Sequence, residues 1–260
     1  MKVQTVRCIA LILVLLAGCA PKPHPQLIVG MELAYPPFET TDAQGKAEGV
    51  SVDLGRDLGK FLDREVEFQN IPFDGLIPSL QTRKIDLIIS SMTATEERAR
   101  TIAFSDPYLT TGLCLLVGTN SPIQNMVDAD QPGRVLVVKK GTTGHVYATD
   151  KIKHARVLVL DAEAACVLEV VQGKADAFIY DQISTYENWR RNEQTTRALL
   201  QPFKQESWAI GLRQDDTELR RQVNQFLQDY KAHGGFEKLG DHYLSEQKAA
   251  FKKLGIPFYF

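Results

Sequence analysis

The sequence predicts an α/β fold of two lobes with largely parallel strands. Short apolar runs alternate with amphipathic runs along the chain, a pattern typical of strands followed by helices. Small or hydroxylated residues follow two of the predicted strands, at residues 90–93 and 141–144. In open α/β sheets, ligands lie beyond the carboxyl ends of the strands. Two such anion sites in one chain indicate two lobes that face one ligand.

The same two patterns place each element in order. Residues 27–31 form a short apolar run and predict a strand, and residues 52–62 carry Val52, Leu54 and Leu58 on one side and predict a helix. Further strands are predicted at residues 66–69, 85–89, 112–117, 135–138, 157–160, 177–179 and 209–212, and further helices at residues 76–82, 144–149 and 163–172. From Asp216 the chain is predicted to be mostly helical, with an interruption at Gly234-Gly235.

The start of the chain is predicted to export and anchor the protein. An apolar run at residues 8–17 follows a basic start and is too short to span a bilayer. It leads through Leu16-Ala17-Gly18 to Cys19, which resembles a bacterial lipobox, in which the cysteine is lipidated. We therefore predict a lipoprotein signal peptide at residues 1–18 and a lipidated tether at residues 19–25. A plain signal peptide with an incidental cysteine is the alternative.

Composition argues against several classes of partner. The formal net charge is −2 and no basic run is present, so the chain carries no electrostatic footprint for nucleic acid. The histidines are scattered, which argues against a zinc site. After processing, Cys114 and Cys166 remain, both in apolar runs. We expect two buried free thiols, although an oxidising compartment would permit a disulfide.

The most informative segment is residues 86–108. An apolar strand runs into the hydroxyls of Ser90, Ser91 and Thr93, and Arg98 stands in the first turn of a short predicted helix. A guanidinium makes two parallel charge-assisted hydrogen bonds to a carboxylate, which a lysine cannot copy. The segment therefore predicts a pocket for a small carboxylate. The alternative is a surface arginine paired with an adjacent glutamate.

Four segments together resemble the periplasmic solute-binding proteins for polar amino acids, which serve bacterial ABC importers. They are residues 34–38 with 49–54, residues 73–80, residues 86–108 and residues 175–181. The resemblance covers about residues 27–244. It implies the type II periplasmic binding protein fold, in which two hinge-crossing strands join the lobes and the ligand cleft lies between them. It places lobe 1 at residues 26–110 plus 206–260 and lobe 2 at residues 111–205.

The resemblance also implies roles for residues that hold the backbone of an amino acid. Arg98 would clamp the α-carboxylate, with hydroxyls of Thr93 from lobe 1 and Thr143 from lobe 2. The backbone carbonyl of Ser91 and the side chain of Asp181 would bind the α-ammonium. Without the resemblance, Thr143 reads as a helix N-cap and Asp181 as a solvated loop acid.

The resemblance places three further residues at the cleft, two beside the ligand's aliphatic part and one next to Ser91. Tyr35 and Phe73 resemble aromatic walls, with a place in the core as the alternative. Ser90 resembles a neighbouring contact in some members. Taken alone, the hydroxyls of Ser90 and Ser91 fit strand-end caps equally well.

Specificity is expected to depend on Glu32 and Lys139. Glu32 stands where family members carry an acid that faces the ligand's side chain. Lys139 stands where cation binders usually have an uncharged residue and the glutamine binder has a lysine, and a buried lysine would repel a cationic ligand. Glutamine is therefore favoured, although Tyr180 departs from the histidine of the glutamine binder. Arginine, lysine or ornithine is the alternative if Lys139 pairs with Glu32 or turns to solvent.

The resemblance implies capture of a polar L-amino acid by cleft closure and delivery to an ABC permease, without catalysis. We expect a monomer that needs no cofactor or metal and is held at the periplasmic face of a membrane by the lipid on Cys19. Two other classes stay open: a secreted dehydratase of arogenate or prephenate on the same fold, and a ligand-binding domain of a sensor.

Overall fold

The structure, a computed structural model, describes residues 26–256. These residues form two lobes, each built on a five-stranded sheet with helices around it. The predicted signal peptide, the lipidation site at Cys19 and the tether at residues 19–25 lie outside the described residues. In the described part, no helix is long and apolar enough to cross a membrane.

Strands and helices alternate through much of the chain, as the sequence predicts, and three helices follow one another at its end. The strands are β1 Leu27–Met31, β2 Thr40–Thr41, β3 Ala47–Glu48, β4 Val66–Asn70, β5 Leu87–Ile88, β6 Ala103–Phe104, β7 Leu109–Gly118, β8 Val135–Lys139, β9 Arg156–Leu160, β10 Ala177–Asp181, β11 Thr196–Trp208 and β12 Gly211–Leu212. The helices are α1 Val50–Phe61, α2 Leu76–Gln81, α3 Glu96–Ala99, α4 Met126–Ala129, α5 Thr143–Lys151, α6 Glu163–Val171, α7 Gln182–Arg191, α8 Thr217–Ala232, α9 Gly235–Tyr243 and α10 Ser245–Lys253.

Each sheet has parallel strands at its centre and antiparallel additions. The first sheet has the order β4-β1-β5-β12-β6, with β4 and β5 parallel to β1 and with β12 antiparallel to its neighbours. The second has the order β11-β7-β10-β8-β9, with β9 and β10 parallel to β8. The first sheet draws its strands from residues 27–104 and 211–212, and the second from residues 109–208. The proposed lobe limits at residues 110/111 and 205/206 fall inside β7 and β11, close to where the chain passes from one sheet to the other.

Two long antiparallel strands, β7 and β11, join the lobes. Their pairing runs from Leu109 opposite Trp208 to Gly118 opposite Thr196, with an irregularity between Leu199 and Lys204. The backbone hydrogen bonds between the two segments continue one residue before β7, where the Tyr108 N–H donates to the Trp208 carbonyl at 3.0 Å. The chain therefore passes between the lobes twice at one place, as a hinge requires.

Apolar side chains fill each lobe along the predicted faces. In lobe 1, Leu54 and Leu58 of α1 are buried against β1 and the C-terminal helices, which include Phe226 of α8. In lobe 2, Val138 of β8 and Ile179 of β10 belong to a separate core cluster. Both lobes therefore hold their cleft-facing strand ends on a packed core.

Several elements differ from the prediction. The strand predicted at residues 85–89 is regular only over β5, because the chain turns at Ser91, which has a left-handed φ of 48°. The strand predicted at residues 209–212 is reduced to β12. The sequence reading missed β11, whose apolar pattern is interrupted by Pro202 and the irregularity. The C-terminal helices and their break at Gly234, with φ of 70°, are as predicted.

Candidate functional site

A cavity of about 40 Å³ lies between the lobes, at the carboxyl ends of the strands. Nine of the ten predicted site residues line it: Glu32, Tyr35, Phe73, Ser90, Ser91, Thr93, Arg98, Thr143 and Asp181. Lys139, the tenth, joins the group through an ion pair with Glu32. Residues far apart in the sequence thus meet at one cleft.

Arg98 lies at one end of the cavity and contacts both lobes. Thr95 caps α3, its hydroxyl accepting from the Arg98 N–H at 3.2 Å, which fixes the start of this short helix. The guanidinium donates to the Thr93 carbonyl at 2.7 Å and to the Gly141 carbonyl at 3.0 Å. The alternative of a surface arginine held by an adjacent glutamate is therefore wrong. Burial lowers the pKa of Arg98 to about 10, so it stays charged at neutral pH.

The start of α5 closes this end from lobe 2. Gly141 has a φ of 76° and approaches lobe 1 so closely that an added Cβ would lie 3.0 Å from the Cβ of Asp74. Thr142 caps the helix, since its hydroxyl accepts from the His145 N–H at 3.3 Å. The N-cap reading of Thr143 is therefore wrong. Its hydroxyl instead points into the cleft.

Glu206, on β11, lies between the two threonines and was missed in the sequence. Its Oε2 atom accepts from the Thr93 hydroxyl at 3.1 Å and from the Thr143 hydroxyl at 2.7 Å. Trp208 on the same strand forms an isolated bridge with Thr93, which brings β11 against the cleft. No local signal marked Glu206, because it stands in a polar run of a strand that was not predicted.

Asp181 lies at the opposite wall, at the end of β10. Its Oδ1 atom accepts from the Ile183 and Ser184 N–H groups, both at 3.0 Å, and so caps α7. The carboxyl group is buried, and the reading as a solvated loop acid is wrong. Burial raises its pKa to about 7 despite the capping bonds. The Tyr35 hydroxyl lies close to this carboxyl group and, with the capping bonds, partly offsets the rise in its pKa.

Aromatic rings form the sides of the cavity. Tyr35 stacks on Phe38 with ring centroids 5.5 Å apart and meets Trp208 and Tyr180 edge to face at 6.0 and 6.1 Å. The Phe73 ring lies 5.4 Å from the Arg98 guanidinium. Tyr180 and Trp208 also line the cavity and are additions to the predicted set.

The remaining end of the cavity holds a charged cluster drawn from both lobes. Lys139 at the end of β8 is buried and pairs with Glu32. The Phe73 ring lies 5.7 Å from its Nζ atom. The Ser90 hydroxyl accepts from the Glu32 N–H at 3.0 Å, so it serves as a strand-end cap. Lys139 is therefore joined to the cavity through its ion pair with Glu32.

Glu39 lies beneath this cluster and was also missed. It is buried, lines the cavity and accepts from the Ser91 hydroxyl at 3.1 Å. Burial raises its pKa to about 8, so most of it is protonated at neutral pH. Glu39 directly follows residues 34–38, one of the segments that carry the resemblance, and this position was the available signal.

The arrangement places the Arg98 guanidinium, the hydroxyls of Thr93 and Thr143 and the Asp181 carboxyl group on one shielded cavity. A cation and an acid on the same small cavity suit a small zwitterion. The described residues contain no group of three or more acidic, histidine or cysteine side chains arranged to hold a metal.

Comparison with known proteins gives one family. A family model described as "Bacterial extracellular solute-binding proteins, family 3" matches residues 27–246. The chain is 31% identical over 238 residues to a histidine-binding periplasmic protein of Salmonella typhimurium, covering 84% of this chain and 88% of that protein. It is 30% identical over 226 residues to an L-arginine-binding protein of Pseudomonas aeruginosa, covering 84% and 87%.

Solved structures agree in fold. An ancestral amino acid-binding protein, described as a precursor of cyclohexadienyl dehydratase, matches with a TM-score of 0.77 and 33% identity, covering 84% of this chain and 95% of that one. An ancestral arginine-binding protein bound to glutamine matches with a TM-score of 0.78 and 31% identity, covering 84% and 97%.

Proposed function

The chain belongs to the bacterial extracellular solute-binding proteins of family 3, and we propose that it captures a polar L-amino acid between its lobes and delivers it to an ABC permease. The observation that carries this proposal is the placement of Arg98 and Asp181 on one cavity, with Tyr35 and Phe73 beside them. A cation and an anion across aromatic walls match the carboxylate, the ammonium and the aliphatic part of a free amino acid.

In the proposed mechanism, the ligand first docks on lobe 1, where Arg98 and Thr93 hold its carboxylate. Asp181 and Thr143 of lobe 2 engage when the lobes close. Closure is favoured because those contacts exist only in the closed form. No bond is made or broken in the ligand.

We propose that the ligand's side chain ends in a neutral carboxamide, and that L-glutamine is the preferred ligand. Lys139 already neutralises Glu32, and burial leaves little water to screen an added cation. A carboxamide offers one acceptor and two donors, so Lys139 can donate to its oxygen and Glu32 can accept from its nitrogen.

Basic amino acids are the second candidate, and two observations favour them. The ion pair of Lys139 with Glu32 is the arrangement in which we expected a basic ligand to be tolerated. The similar proteins include binders of histidine and arginine. The ancestral arginine-binding protein bound to glutamine has the same fold, so both ligand types suit this scaffold.

A thermal-shift screen tests the proposal. The protein is heated with each of the twenty amino acids, ornithine and citrulline. A true ligand raises the melting temperature by mass action, and we expect glutamine or a basic amino acid to give the largest shift. If no amino acid raises the melting temperature, the proposed function is wrong.

A dehydratase activity is the candidate from another class, favoured by the likeness to a precursor of cyclohexadienyl dehydratase. We propose binding instead, because both Arg98 and Asp181, the pair a free amino acid needs, line the cavity. Incubation with prephenate or arogenate should give no aromatic product, and product formation would reverse this choice.

We also keep the periplasmic location, lipid anchor and monomeric state as proposals. The anchor rests on Leu16-Ala17-Gly18-Cys19. Replacement Cys19→Ser should release the protein from the membrane fraction, and retention would contradict the anchor.

A further inference from the structure

A buried carboxylate of the protein itself stands where the ligand's carboxylate is proposed to bind. Glu206 Oε2 accepts from both threonine hydroxyls, at 3.1 Å from Thr93 and 2.7 Å from Thr143. Its side chain is only 2% exposed. Thr93 belongs to lobe 1 and Thr143 to lobe 2, so this one oxygen bridges the lobes.

Glu206 and a ligand carboxylate cannot accept from the same two hydroxyls at once. A threonine hydroxyl has one proton and so donates to one acceptor at a time. A ligand carboxylate can take the Thr93 and Thr143 hydroxyls only after Glu206 releases them. Two ionised carboxylates side by side in a buried site also repel one another. The ligand carboxylate and Glu206 therefore compete for one place.

After displacement from the threonine hydroxyls, the Glu206 carboxylate could pair with Lys204. Its Oε1 atom makes no hydrogen bond among the described residues but lies 3.2 Å from the Nζ atom of Lys204, which is 42% exposed. Residues two apart on a strand point to the same side, so Lys204 accompanies Glu206 on β11. Both residues also line an adjacent outer cavity of about 880 Å³. A turn of the side chain toward Lys204 would free both hydroxyls.

We propose that Glu206 is an internal competitor for the carboxylate subsite: it holds the lobes together through Thr93 and Thr143, and an amino acid displaces it toward Lys204. The inference rests on the proposed function, since it assigns the same subsite. Glu206 then lowers the affinity for every ligand with an α-carboxylate, while an amine without that carboxylate does not compete with it.

The test compares Glu206→Gln with the matched control Glu96→Gln, an equal charge change at an exposed residue of the same outer cavity. Calorimetry measures L-glutamine and L-arginine against their decarboxylated counterparts, 4-aminobutanamide and agmatine. Glu206→Gln should tighten binding of the amino acids about tenfold, the scale of hydrogen bonds to a charged group. The amines lack the carboxylate that Arg98 would hold, so we expect them to bind at least a hundredfold more weakly than the amino acids, and their affinity should not rise in Glu206→Gln. Equal changes for both ligand classes, or none, would overturn the proposal.

Small-angle scattering without added ligand gives a separate readout. Glu206→Gln should increase the radius of gyration, and Glu96→Gln should not. If no amino acid binds either protein yet Glu206→Gln expands the chain, the proposed function fails and the bridging role of Glu206 stands. If amino acids bind and Glu206→Gln changes neither affinity nor size, the inference fails and the proposed function stands.

Discussion

The two ends of the cleft hold their charges in different ways. At the side-chain end, a cation of lobe 2 pairs directly with an acid of lobe 1, Lys139 with Glu32. At the carboxylate end, Arg98 donates to two backbone carbonyls, and its other N–H groups make no hydrogen bond within residues 26–256. We therefore expect the carboxylate end to supply most of the affinity once a ligand displaces Glu206 from the threonine hydroxyls, because the Arg98 guanidinium still has donors to offer. We expect the paired end to supply discrimination, because any ligand must fit around a pair that is already neutral.

The largest expected effect is at the carboxylate end. Arg98→Ala should leave the fold intact and remove measurable binding, because loss of one partner of a buried ion pair costs about 3–5 kcal/mol, or at least a hundredfold in affinity. Calorimetry measures binding, and circular dichroism checks the fold. The exposed neighbour Arg100→Ala serves as the control and should bind normally. If the affinity of Arg98→Ala stays within about tenfold of wild type, Arg98 does not hold the ligand carboxylate, and the expected difference between the two ends is wrong.

The wall opposite Arg98 should make affinity depend on pH. The pKa of Asp181 is raised to about 7, so below that pH the carboxyl must lose a proton before it can hold an ammonium group. Affinity should therefore rise with pH up to about 7, by at most about tenfold per pH unit, and then level off. Calorimetry between pH 5 and 8 measures this slope. Asp181→Asn keeps a capping oxygen for α7 but should bind weakly and without the slope. A slope that persists in Asp181→Asn would assign it to another group.

At the side-chain end, Lys139→Leu should change the ranking of ligands. Loss of the positive charge leaves Glu32 free for a ligand cation, so arginine and lysine should improve and glutamine should weaken, each by about tenfold. Lys140→Leu is a matched control, because Lys140 also pairs with an acid of lobe 1, Asp74 at 2.8 Å, but is half exposed and makes no ion pair with Glu32 among the described residues. Calorimetry of both variants measures the ranking. An unchanged order of ligands in Lys139→Leu would show that the paired end does not discriminate.

The smallest expected effect concerns stability at the same end. Between pH 4.5 and about 8, the folded chain keeps a proton on Glu39 that the unfolded chain has released. The free energy of unfolding should therefore fall as pH rises through this window, by at most about 1.4 kcal/mol per pH unit. Glu39→Gln should flatten the fall, while the exposed control Glu67→Gln should not. Melting temperatures at pH 5, 6, 7 and 8 measure it, and parallel curves for Glu39→Gln and wild type would contradict the assignment.

Local sequence patterns predict part of the cleft. Arg98 follows hydroxyls at the end of a strand, so a carboxylate pocket could be predicted within its own segment, whereas the role of Asp181 was assigned through the resemblance of residues 175–181. The order of strands and helices was readable for the same reason, since it depends on local periodicity.

The parts that stayed hidden depend on long-range contacts. Glu206 reaches the cavity because β11 returns from lobe 2 and lies beside Thr93, 113 positions away in the sequence. Glu39 reaches the cavity because the chain folds back over Ser91. The capping role of Thr142 rather than Thr143 depends on where the first turn of α5 begins, a one-residue difference that composition does not determine.

The most direct test is a crystal structure of the protein with the amino acid that ranks first in the thermal-shift screen. We expect the α-carboxylate on Arg98, the α-ammonium on Asp181 and the side chain pointing toward Glu32 and Lys139. A ligand bound in the reverse direction, or bound outside this cleft, would contradict the account.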